Sequence, residues 1–147
     1  MSATVSRWAR RYVLVGAFAL VAWQVAAMAG VGRRTEVLLA LFGFVLHTVF
    51  GKAYALVPSY FERELAAPRA PAVQFPLVVA GTLGLALAAL GVGPSWVESA
   101  GAVLWAGGVA VFVGTLAWTI RDNLAGAETG TGDHNAHRRL VDRLANG

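Results

Sequence analysis

Apolar residues fill most of this chain, and charged residues mark where each apolar run stops. No Asp, Glu, Lys or Arg occurs at positions 12–32, 70–97 or 99–120, and positions 37–61 hold only Lys52. An uncharged apolar run of about 18 residues or more is long enough to cross the ~30 Å hydrocarbon core of a bilayer as a helix. The pattern therefore predicts four spans, at about 12–31, 36–57, 72–92 and 96–120. Spanning strands are excluded, because these runs do not alternate polar and apolar positions as barrel strands do. The expected fold is an all-α integral membrane protein, a four-helix transmembrane bundle running up-down-up-down. Residues 1–120 form this membrane domain and residues 121–147 a tail.

The connections carry turn chemistry. Gly32-Arg33-Arg34-Thr35 is short, so the first two spans form an antiparallel hairpin. Pro58 is expected to end the second span, since proline lacks the N–H of the next helical bond and biases its predecessor away from helix. Residues 59–71 form the longest internal loop, with Glu62, Arg63, Glu64 and Arg69. Gly91 to Ser95 reads as a tight turn, with Ser95 placed to cap the fourth span. The first span has a rival reading as an export signal: Arg10-Arg11 precedes Tyr-Val-Leu, and Ala27-Met28-Ala29 is a run of small residues. Its apolar length, Trp23 and Gln24 favour a retained helix. In the tail, 125–132 reads as a flexible linker. Residues 135–145 read either as a short basic amphipathic helix or as a loosely ordered end.

Composition narrows the class. Hydrophobic residues make up 57% of the chain and charged ones 14%, against about a quarter charged in soluble domains; an ordinary soluble enzyme is excluded. Without cysteine there are no disulfides, thiolate metal sites or cysteine nucleophiles. The net charge of +4 comes from arginines at segment ends, which points to membrane orientation and the lipid bilayer as partner, and away from nucleic acid. With both termini on one side, that side holds ten Lys and Arg, and Arg33 and Arg34 alone stand opposite. The positive-inside rule then places both termini in the cytoplasm, and the expected setting is the plasma membrane of a prokaryote.

Polar groups inside a bilayer are expensive, so each is a candidate site. Gly43, His47, Gly51 and Tyr54 recur at spacings of four, four and three and share one helix face. The glycines leave room beside the imidazole either for a flat ligand, haem or quinone, or for close approach of a neighbouring helix. A bis-histidine haem would need a second axial ligand, from Met28 or another chain, because the spans hold no second histidine. Lys52 is placed to snorkel to the interface. Glu36 beside Arg33 and Arg34 reads as an interfacial ion pair, or else the two arginines contact an anion or lipid phosphate. Gly81, Gly84, Gly101, Gly107, Gly108 and Gly114 read as packing stripes. Asp133, His134 and His137 in the tail are too few for a convincing metal site. No nucleophile elbow, P-loop, dinucleotide fingerprint or zinc-protease pattern occurs.

Residues 41–58, LFGFVLHTVFGKAYALVP, resemble the second-helix region of heme–copper oxidase subunit I and its short subunit-I-like relatives, over about 50 residues. Positions 36–38, where that family's haem-ligating histidine would fall, hold Glu36, Val37 and Leu38. The resemblance implies a related helix scaffold in a respiratory or nitrogen-oxide setting, not oxygen reduction. The expected function is thus a non-catalytic accessory or interaction subunit with a haem or quinone at His47, partnered by another membrane subunit or by copies of itself. The rival is a small homo-oligomeric transporter or channel component using His47, Lys52 and Glu36.

Overall fold

The computed structural model describes residues 3–60, 65 and 67–128. It is helical: α1 (Ala3–Met28), α2 (Arg33–Val37), a π-helical segment (Leu38–Val45), α3 (Leu46–Tyr60), α4 (Ala70–Ala89) and α5 (Trp96–Glu128). The second span is α2, the π segment and α3 in unbroken succession. Four helical stretches are long and apolar enough to cross a membrane: Ser6–Met28, Arg33–Val57, Ala70–Ala89 and Trp96–Arg121. The four expected spans are present, with shifted ends.

Two of those shifts correct the sequence reading. The second span ends at Val57 as expected, but Pro58 does not end the helix, and α3 continues to Tyr60. A prolyl residue adopts helical φ readily, and the disruption falls on the turn before it. The fourth helix runs eight residues past Ile120, so positions 125–128 of the expected linker are helical. Extending an existing helix avoids the nucleation penalty, and Ala125 and Ala127 are good helix formers. The readings of positions 129–147, including the amphipathic helix and the histidine pair, lie outside the described residues.

Both spanning hairpins turn in the same way. Gly30 takes φ 66° and Gly91 φ 70°, the left-handed region that glycine enters without penalty. After α1, Val31 N–H reaches Ala26 O and Gly30 N–H reaches Ala27 O. After α4, Val92 N–H reaches Leu87 O and Gly91 N–H reaches Ala88 O. These paired bonds are the Schellman closure, which satisfies carbonyls a helix end leaves open.

The molecule is built from two tightly packed pairs, α1 against the second span and α4 against α5. In the second pair backbone meets backbone: a Cβ on Gly81 would lie 2.8 Å from Trp105 N, and one on Gly101 2.9 Å from Leu85 N. The expected glycine stripe is split. Gly101 and Gly108 lie in this seam, whereas Gly107 and Gly114 face open space.

An aromatic cluster joins the two pairs. Tyr12 packs edge-on to Phe75 at 5.1 Å and to Phe50 at 6.2 Å, and Tyr54 stands perpendicular to Phe112 at 5.4 Å. Such pairs contribute about 0.5–1.5 kcal/mol each beyond burial. Burial is inverted relative to a water-soluble protein. Phe18 and Met28 are 75% and 88% exposed, while His47 and Gln74 are fully buried. Lipid is as apolar as these outer side chains, so the interior is free to hold the polar ones.

Candidate functional site

The four residues of the second span's marked face, Gly43, His47, Gly51 and Tyr54, are all buried. Gly43 and His47 line one cavity, and Gly51 and Tyr54 are not among its lining residues. A Cβ on Gly43 would sit 2.7 Å from the Ala19 Cβ, and one on Gly51 2.9 Å from Ala9 O and from the Tyr12 Cβ. Of the two uses open to these glycines, close helix approach is the one observed. Tyr54 belongs to the aromatic cluster, two turns from His47.

His47 owes its setting to the π segment. Leu46 N–H reaches back five residues to Leu41 O. The Phe42 carbonyl of the same segment is met by the His47 ring, with Nδ1 at 2.7 Å. A carbonyl only accepts, so Nδ1 carries the hydrogen, and in the neutral ring Nε2 is a lone-pair acceptor. That Nε2 is buried without a partner. Single π turns inside α-helices occur often at functional sites.

His47 also lines a cavity of about 200 Å³ between α1, the second span and α4. Phe18, Ala19, Gly43, Thr82 and Leu83 form much of its wall. Phe18 and Leu83 are exposed on the outer surface, so the cavity borders the membrane. Its polar groups are His47 and Thr82, and the Thr82 hydroxyl is likewise buried without a partner. Leaving such an atom unsatisfied costs about 1–3 kcal/mol.

Haem does not fit here. The donor atom is suitable, with Nδ1–H fixed and Nε2 free. The space is not: about 200 Å³ lies below the ~300–1,000 Å³ of pockets for drug-sized ligands. Gly43, on the cavity wall, is closely approached by Ala19 of α1. Met28, the intramolecular source of a second axial ligand, is 88% exposed at the end of α1.

The buried polar roles of Tyr12, Gln74 and Trp105 escaped the sequence reading. Tyr12 and Gln74 are both fully buried, and the Tyr12 hydroxyl donates to Gln74 Oε1 at 3.0 Å. Trp105 Nε1, Tyr54 Oη and Gln74 Nε2 have no partner. The available signal was the four-residue spacing of Gln74, Val78, Thr82 and Ala86, all buried. Thr48, Thr115 and Thr119 bond to carbonyls one turn back in their own helices.

Arg34 is paired with Glu98 of α5 at 2.6 Å, not with Glu36. This exposed bridge ties the outer ends of the two hairpins. It takes up the charge of one of the two arginines read as an anion contact and leaves Arg33 as the exposed cation there. Among the described residues, no group of three or more His, Cys, Asp or Glu is placed to hold a metal ion. Comparison with protein-family models, curated proteins and solved structures returned no match.

Proposed function

We propose that this chain is a non-catalytic accessory subunit of a prokaryotic plasma membrane, both termini cytoplasmic, which holds a membrane-soluble ring-bearing hydroxyl compound of the quinol class at His47. One observation carries the reading: His47, whose buried Nε2 is a lone-pair acceptor without a partner, is among the residues lining a cavity that borders the lipid. A quinol hydroxyl donates to that nitrogen and accepts from the Thr82 hydroxyl, while the chain attached to the ring stays in lipid. One acceptor and one hydroxyl suit holding a ligand rather than transforming it. A respiratory setting follows from the resemblance of residues 41–58 to heme–copper oxidase subunit I. For docking to another membrane subunit, the outer side of the second hairpin supplies a groove of about 480 Å³ lined by Ala110, Gly114 and Thr115.

The test is binding of a decyl-substituted benzoquinol to the purified protein in nanodiscs, by equilibrium dialysis. Saturable binding is expected, lost in His47→Leu and weakened in Thr82→Val. Equal binding by wild type and His47→Leu contradicts the proposal. A Soret band after incubation with hemin would reinstate haem. The transporter reading draws on Lys52, which is exposed on the same span. Ion-coupled flux in proteoliposomes, abolished by Lys52→Gln, would favour it over the accessory reading.

A further inference from the structure

The N-terminal end of α1 holds a second polar site, independent of the cavity at His47. Arg7, Trp8 and Arg11 line a pocket of about 140 Å³. Its floor is fixed. The Trp8 ring packs on Phe75 of α4 at 5.5 Å, and Phe75 is held edge-on by Tyr12 at 5.1 Å. The Arg11 guanidinium lies over the Trp8 ring, 4.5 Å from its centroid. A guanidinium stacked on an aromatic face has its planar fork set in advance. Arg7, one turn earlier, lines the same pocket with a second positive charge, and like charges four residues apart on a helix repel.

Neither cation is neutralised by a carboxylate among the described residues. The Arg34–Glu98 bridge stands at the other end of the spans. The first span begins at Ser6, so the pocket lies at headgroup depth. Two arginines lining one pocket select an anion with several acceptor oxygens on one centre, and a phosphate is the biological anion that fits two planar forks.

We propose that Arg7, Trp8 and Arg11 form a binding site for a phosphate group, that of an anionic phospholipid headgroup or of a free phosphate. Arg7 and Arg11 each donate to phosphate oxygens, and Trp8 holds Arg11 in place. Arg10 has the same charge and the same neighbourhood but does not line the pocket. It therefore separates a built site from a generally basic surface.

The experiment is native mass spectrometry of the full chain in detergent, titrated with phosphatidylglycerol or with phosphatidylcholine, with inorganic phosphate as competitor. Preferential binding of one phosphatidylglycerol is expected. Arg11→Gln and Arg7→Gln each weaken it roughly fivefold, the scale of one basic residue at an anionic surface, and Arg10→Gln leaves it unchanged. Trp8→Leu weakens it with the charge intact, and Arg11→Lys restores only part of the loss, because a point charge cannot offer a planar fork. Both exposed-arginine variants keep the core intact, which circular dichroism checks. Displacement by equimolar inorganic phosphate identifies free phosphate as the ligand, and persistence in excess phosphate identifies the lipid. Equal losses for Arg10→Gln and Arg11→Gln, or equal affinity for the two lipids, would overturn the site.

Discussion

The two hairpins of this protein share a turn and differ in what they enclose. Each is closed by a left-handed glycine and a Schellman pair of bonds. In the α4–α5 hairpin Gly81, Gly84 and Gly101 let two backbones touch. The first hairpin uses glycines too, yet Gly43 meets a side-chain methyl of Ala19, and the π segment beside it turns His47 toward its own Phe42 carbonyl. The difference teaches that a glycine on a packed helix face marks close approach, and that the cavity at His47 lies beside a break in hydrogen-bond register.

The largest expected effect breaks the second seam. Gly101→Val places a side chain about 3 Å from backbone atoms of α4 that cannot yield (2.9 Å to Leu85 N). It should lower stability by roughly 3 kcal/mol, the upper range for overpacking, in denaturant unfolding followed by circular dichroism. Gly107→Val, with nothing within 4 Å, should fall within about 0.5 kcal/mol of wild type.

The first hairpin should be more forgiving at Gly43. Gly43→Ala meets only the Ala19 methyl closely, and the Ala19 Cα is 3.9 Å away. A loss of about 1–2 kcal/mol is expected, and the double variant Gly43→Ala, Ala19→Gly should recover most of it. A double variant no more stable than Gly43→Ala would mean that the two hairpins are packed alike.

The smallest effect sharpens the link between the hairpins. Tyr12→Phe removes the hydroxyl that donates to Gln74 Oε1 at 3.0 Å. Hydrogen bonds between membrane helices average about 0.6 kcal/mol, so a loss of about 0.5–1.5 kcal/mol is expected. A double-mutant cycle with Gln74→Leu should return a coupling of similar size. Zero coupling would show that the aromatic packing alone joins the halves.

The fold was legible because charge marks the ends of the spans, and the desolvation cost of a charge in lipid makes that mark strong. The shared face of Gly43, His47, Gly51 and Tyr54 was legible from helical periodicity. Its division into a cavity wall and two packing contacts was not, since that depends on α1, whose Ala19 and Ala9 carry no distinguishing chemistry. The π segment leaves no trace in composition, because LLALFGFV is as apolar in either helical register. Tyr12–Gln74 and Arg34–Glu98 join residues 62 and 64 positions apart, a separation at which no spacing rule applies. Gly107 and Gly108 are adjacent, so only one of them was able to face α4.

The claim that His47 holds Nδ1–H on Phe42 O and offers Nε2 to a ligand is tested most directly by ¹⁵N NMR. The sample is ¹⁵N-histidine-labelled protein in nanodiscs, with His134 and His137 replaced by Gln so that His47 alone reports. The account predicts a protonated Nδ1 and an unprotonated Nε2. Decyl benzoquinol should shift the Nε2 resonance and leave Nδ1 in place. The reverse tautomer, or an Nε2 resonance unmoved at saturating quinol, would contradict it.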